Sequence, residues 1–200
     1  KGLGMTLYVS IIAMFFALII GLIVALLRLS KMKAVSWVGQ AYIEFFRGIP
    51  LFVFIIWLYY GLAMVIGLNF RPLVAGIMCL SMQHGGYLAE IYRSGIQAIP
   101  TGQWEASYSL GFSSTRTFIK IILPQAFKII IPPTANMFVG MLKDSALISI
   151  LGVNELMRQS QMATSLTFRP FEFYTVTALI YVGLTLGFSQ LVKLLEAKMK

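Results

Sequence analysis

The sequence is poor in charge. Only 12% of its 200 residues are Asp, Glu, Lys or Arg, whereas 58% are hydrophobic, and the mean hydropathy is +0.84. A soluble domain is roughly one-quarter charged, so this chain lacks the polar surface to cover itself in water. Disorder, a collagen-like fold and a soluble enzyme are excluded together. Cysteine is nearly absent too. Cys79 stands alone, which excludes an internal disulfide framework, and its apolar surroundings predict a small packing residue. His84 is the only histidine. With Cys79 it makes no metal set, and the His-Glu-x-x-His pattern of zinc proteases is missing. No Gly-x-x-x-x-Gly-Lys phosphate loop occurs, so the chain has no such nucleotide site of its own. Acid is scarcer than base, giving a net charge of +9. In an apolar chain that excess reads as the basic bias of inside membrane loops, not as a nucleic-acid surface.

What is present is a series of long apolar runs. Five candidate spans follow one another: Met5–Leu27, about Ile49–Gly67, about Leu73–Tyr92, about Gln125–Ile150 and about Phe173–Leu195. A spanning helix needs roughly 20 residues, so the chain is filled by these runs and short connections. It reads as one transmembrane domain over residues 1–200, all-α, with about five transmembrane helices in a lipid bilayer. The first run is closed by Arg28, Lys31 and Lys33, the second by Gly67-Leu68-Asn69 and the fifth by Lys193, Lys198 and Lys200. Placing the N-terminus outside puts eleven of the sixteen Lys and Arg residues inside and four outside, with Lys143 left within the fourth run. The expected topology is therefore N-out, C-in. Ala34–Phe46 reads as an interfacial helix and Asn154–Thr167 as a polar, helical segment outside. Phe15, Phe16, Trp57, Tyr59, Tyr60 and Tyr174 suit lipid-facing or interfacial positions, and Met137, Met141, Met157 and Met162 suit packing.

The loop between the third and fourth runs, about residues 94–124, carries the strongest signal. Pro100-Thr101 starts a short helix, and Gly111 is suited to a left-handed residue after its last turn. Trp104 and Tyr108 stand at i, i+4. The residues Glu105-Ala106-Ser107, then Gly111, Ile121 and Leu123-Pro124 have the spacing of a known pattern. It resembles the EAA motif of permease subunits of ATP-binding-cassette importers, with serine in place of the second alanine. Tyr42-Ile43-Glu44, Arg47-Gly48-Ile49-Pro50, Tyr87 to Glu90 and Leu142-Lys143-Asp144-Ser145 are similar to the subfamily that imports polar amino acids such as histidine, glutamine, arginine and cystine.

The resemblance covers nearly the whole chain and implies a type I importer permease in a bacterial cytoplasmic (inner) membrane. The family often has a short amphipathic segment before the first span, so this chain is expected to start within the family's length. The implied role is to form a translocation pathway as a dimer, coupled through a cytoplasmic helix to ATPase subunits. Implied coupling residues are Glu105, Ala106, Ser107, Gly111, Leu123 and Pro124. Implied partners are a cytoplasmic ATPase dimer, a second permease subunit, identical or paralogous, and an extracytoplasmic amino-acid-binding protein. ATP and Mg would be bound by the ATPase, and this chain would be neither an enzyme nor a cofactor carrier. A permease for another small solute, or a channel or scaffold without ATP coupling, stays open as an alternative.

Charged groups inside a bilayer are costly and mark sites or partners. Asp144 lies deep in the fourth run, and Pro132-Pro133 is expected to interrupt that helix, as in transporter sites built on broken helices. Asp144 with Ser145 is the first candidate for holding an amino acid's ammonium group. An outer-interface pair that merely holds the fold is the alternative. On the third run Gln83, Tyr87 and Glu90 share a helical face beside His84, and Gly85-Gly86 is expected to loosen the helix there. Substrate contact by Gln83, His84, Tyr87 and Glu90 is weighed against packing for His84 and an i, i+3 pair of Glu90 with Arg93.

Overall fold

The computed structural model describes residues 1–67 and 69–199. Leu68 of the expected turn and Lys200 of the last basic cluster lie outside the described residues. Every regular element among those described is helical.

Helix α1, Gly2–Arg28, is apolar all round, but its two sides differ in size. Val9, Ala13, Ala17 and Gly21 form a buried stripe of small side chains, while Ile11, Phe15, Leu22 and Leu26 point outward. The small stripe lies against α5, Pro72–Gln97. A Cβ on Gly21 would come within 2.7 Å of Leu88 Cβ, and one on Gly85 within 2.6 Å of Ile20 Cγ2. The two helices therefore touch backbone to backbone, as membrane helices do where small residues face each other. This corrects the expectation that Gly85-Gly86 loosens α5. The helix is unbroken there, and the glycines serve close approach.

Helix α2, Lys33–Gly48, is amphipathic and turns by 102° into the next helical stretch. Pro50 makes the corner. It supplies no N–H, and it holds Ile49 extended at φ −85°, ψ 131°. Helix α3, Leu51–Ile56, then continues through a wide turn at Trp57–Leu62 into α4, Ala63–Ile66, which ends on Gly67 at φ +69°. Pro72 opens α5 at its first position, where a missing N–H costs nothing.

After the loop helix α6, Thr101–Ser109, the chain forms one rod over Ser114–Leu151. It comprises α7, Ser114–Thr117, a wide turn Phe118–Ile122, α8, Leu123–Asp144, and a tighter 3-10 segment Ser145–Leu151. The expected interruption at Pro132-Pro133 does not occur; α8 passes through both. The carbonyls that lose their donors belong to Lys128 and Ile129, both on the exposed side, so the bonds facing the bundle are kept. The change in helix type comes instead right after Asp144. Helix α9, Leu156–Thr167, and helix α10, Pro170–Met199, complete the chain.

Among the described residues, three stretches are long and apolar enough to cross a membrane: Gly2–Arg28, Ser114–Leu151 and Pro170–Leu194. The bent pair of Lys33–Gly48 with Leu51–Val65 makes a fourth candidate. The expected third span, α5, has the length at about 39 Å but not the apolarity. Its Ser81, Gln83 and His84 are buried at helix contacts, so protein rather than lipid meets them. Cys79 is fully buried in the core beside them, with Leu80, Phe54 and Met141.

Candidate functional site

Two places gather the residues singled out in the sequence. The first is the loop helix. Pro100 caps α6 at its start, and the end is a complete left-handed closure. The Phe112 N–H donates to Ser107 O at 3.2 Å, and the Gly111 N–H donates to Tyr108 O at 2.9 Å, with Gly111 at φ +78°. This two-bond pattern is the Schellman end, which a glycine permits without strain.

One side of α6 is anchored. Trp104 stacks on Phe118 at 6.4 Å between centroids and joins a small core with Ile99, Ile122 and Ala126. Ser107 is buried, and its Oγ shares a hydrogen bond of 2.7 Å with Thr117 Oγ1. That partner explains serine where the motif has alanine: the hydroxyl faces inward and is satisfied. Glu105, Ala106, Tyr108, Leu110 and Gly111 remain exposed, Leu110 at 76%. Trp104 and Tyr108 therefore do not act as one patch, although i, i+4 spacing puts them on neighbouring turns. Leu123 is half-buried at the start of α8 and Pro124 is exposed.

The second place is the crossing of α5 and α8. His84 Nε2 lies 3.3 Å from Asp144 Oδ2. His84 stands about midway along the 26 residues of α5, so this contact fixes Asp144 near the middle of that helix rather than at its end. His84 is buried, while the Asp144 side chain is 44% exposed. Ser145 is fully buried, and its hydroxyl donates back to Leu142 O at 2.7 Å. Lys143 is exposed and makes no ion pair among the described residues.

The stripe of Gln83, Tyr87 and Glu90 faces elsewhere, toward the α2–α3 corner. Gln83 Nε2 donates to Ile49 O at 2.7 Å, the Arg47 guanidinium sits 5.3 Å over the Tyr87 ring, and Glu90 binds Arg93 through both oxygens. Arg28, Arg47, Arg93, Glu44 and Glu90 line a cavity of about 240 Å³ there. Of the six proposed substrate residues, the structure thus brings His84, Asp144 and Ser145 together and sets Gln83, Tyr87 and Glu90 on a separate face. Only Asp144 among the first three has an open side.

Glu155 escaped the sequence analysis. It is fully buried, caps α9 by accepting from the N–H groups of Met157 at 2.7 Å and Arg158 at 2.6 Å, and receives the Tyr181 hydroxyl of α10 at 3.0 Å. Burial pushes its carboxyl above the usual range, and the two N–H donors and the Tyr181 hydroxyl pull it partway back. The Leu156 N–H beside it donates to Thr6 Oγ1 of α1 at 3.1 Å. An acidic residue directly before an amphipathic run is a helix-start signal, and it was there to be read.

The whole arrangement has close counterparts. Residues 17–200 match the family model described as "Binding-protein-dependent transport system inner membrane component". A protein of Bacillus subtilis named "Probable amino-acid ABC transporter permease protein YckA" is 39% identical over 90% of this chain and 80% of its own length. A crystal structure titled as an amino acid ABC transporter with histidines matches with a TM-score of 0.95 and 41% identity, covering 98% of this chain and 92% of that one. An inward-facing MetNI methionine ABC transporter matches with a TM-score of 0.83 at 20% identity, covering 100% and 94%, and so shares the fold. The chain belongs to the family of binding-protein-dependent transport system inner membrane components.

Proposed function

We propose that this chain is the permease subunit of an ATP-driven importer for polar amino acids in a bacterial inner membrane. It crosses the bilayer five times, with the N-terminus outside, α5 enclosed as the third span and α6 in the cytoplasm. The observation that carries this is the loop helix. Its inner side is fixed by Trp104 and Ser107, its end is closed by Gly111, and its outer side offers Glu105, Ala106, Tyr108 and Leu110 to a partner. A helix held so firmly on one side transmits a push rather than absorbing it.

The partner is a cytoplasmic ATPase dimer, which binds ATP and Mg; this chain is a conduit with no catalytic residues or cofactor. Glu105 pairs with a basic group in the ATPase cleft, while Ala106 and Gly111 allow close docking. Leu123 and Pro124 hold the base of the loop, and Ser107 acts from inside. A second permease, identical or paralogous, completes the pathway. The extracytoplasmic amino-acid-binding protein docks at α9. Nucleotide at one end and substrate at the other bias a rocking equilibrium between inward- and outward-facing states.

Asp144 is the substrate contact, a carboxylate midway along α5 with an open side for an ammonium group. Ser145 holds the backbone beside it through Leu142 O, Gln83 holds the α2–α3 corner through Ile49 O, and Tyr87 and Glu90 belong to the inner end of the path. The test is Asp144→Asn in the reconstituted importer. The expected outcome is at least roughly tenfold weaker uptake of L-glutamine, L-arginine or L-histidine, whichever the unaltered complex carries, with assembly intact. Equal loss of uptake and assembly would move Asp144 to a purely structural role.

A further inference from the structure

The His84 ring has an oxygen at each nitrogen. Nδ1 lies 3.0 Å from Leu80 O, and Nε2 lies 3.3 Å from Asp144 Oδ2. A carbonyl oxygen can only accept, so Nδ1 must carry hydrogen. A neutral ring would then turn the lone pair of Nε2 onto a carboxylate oxygen, which is repulsive. The contact is attractive only if the pair holds one more proton than a neutral imidazole and a free carboxylate would. The ring is buried, and its Nδ1 is held by the backbone carbonyl one turn earlier in the same helix.

Among the described residues, the surroundings offer no rival charge close by. α1 brings no ionisable side chain to this level. α8 brings Asp144 itself and Lys143, whose side chain is exposed. α2 brings Tyr42, whose hydroxyl donates to Met82 O, and Arg47, which is held over Tyr87. On α5 itself, Tyr87 lies 6.5 Å away between ring centroids, and Glu90 is paired with Arg93. The 3-10 segment contributes Ser145 and Ser149, neither ionisable.

The geometry points to His84 as a positioning residue, the internal counter-ion of Asp144, which the ammonium group of an incoming amino acid must displace. This rests on the proposal that Asp144 meets that ammonium. Displacement sends the shared proton to solvent and leaves His84 neutral, hydrogen-bonded only to Leu80 O. A substrate without a cationic group cannot make the exchange, so His84 screens for the ammonium before the carboxylate is released to it.

The chain holds one histidine, so nitrogen-isotope-labelled histidine in the permease, assembled with unlabelled ATPase in a nanodisc, reports this ring alone by NMR. Before amino acid is added, both ring nitrogens are expected to be protonated. Saturating L-glutamine, L-arginine or L-histidine, whichever the complex binds, is expected to convert the ring to the neutral form with hydrogen on Nδ1. Equilibrium binding of the same radiolabelled amino acid gives a second arm. His84→Gln keeps an N–H donor near the Nε2 position but cannot take the extra proton. It is expected to bind roughly three- to tenfold tighter. A ring unchanged by an amino acid that Asp144→Asn no longer binds would overturn the counter-ion role while leaving Asp144 as the contact. Unaltered binding by Asp144→Asn would overturn both. The NMR arm uses the unaltered chain, so it stands even if the variant fails to fold.

Discussion

At the scale of residues, most polar groups inside this apolar protein have a partner that says what the residue does, while the hydroxyls of Ser10, Thr134 and Thr164 are buried without one. Ser107 looked like a relaxed alanine in the loop motif, but it bonds Thr117 and pins the loop helix to its own base. Glu155 ties two helices at one carboxylate, capping α9 and receiving Tyr181 from α10, and the neighbouring Leu156 N–H adds the Thr6 contact to α1. Its carboxyl titrates above the ordinary value of 4.5 in the folded chain because it is buried. The folded state therefore holds this proton more tightly than the unfolded state. The resulting stability is fully present below the ordinary value, falls as pH rises toward the raised one, and is flat above it. Melting temperatures of the purified permease over that window should show this decline, and Glu155→Gln should flatten it. Glu155→Ala leaves two N–H groups and a hydroxyl without their acceptor and should cost about 2 kcal/mol.

At the scale of elements, the helices with a clear period or punctuation were legible in advance. Pro100 and Gly111 mark the loop helix, and Gly67 closes the second membrane stretch. What could not be read was which face a polar or small residue would meet. Gly85 suggested loose backbone, yet it is a contact with Ile20, a fact that depends on a helix 65 residues away in the chain. Pro132-Pro133 suggested a break, but exposure of the residues that lose bonds leaves the inner side intact. His84 was one candidate among several until α8 laid Asp144 beside it. The α6 end makes a sharp prediction at this scale. A Cβ on Gly111 meets nothing within 4 Å, so only its left-handed backbone restricts substitution. Gly111→Asn, which tolerates that conformation, should keep most ATP-driven uptake. Gly111→Val, which strains it by at least about 1–2 kcal/mol, should lose uptake several-fold while membrane insertion, followed by immunoblot of washed membranes, stays unchanged.

At the scale of the whole molecule, one long helical rod joins the two places where the singled-out residues gather. The loop helix connects through the Ser114–Leu151 rod to Asp144, so a displacement at α6 is carried along one continuous helix to the charged crossing with α5. The far end of the same rod turns at Gly152 into Glu155 and α9, which links it to α1 and α10. In the proposed function the rod thus joins the ATPase-docking loop, the substrate contact and the outer face, an arrangement that suits rigid-body coupling between sites. The central claim is that this permease is driven by a docked ATPase. The most direct test is quantitative mass spectrometry of what co-purifies with the tagged chain from native membranes in mild detergent. The account predicts an ATPase subunit in a one-to-one ratio with total permease and ATP hydrolysis in the same fraction. A chain that purifies alone, with no nucleotide-binding partner and no hydrolysis, would contradict it.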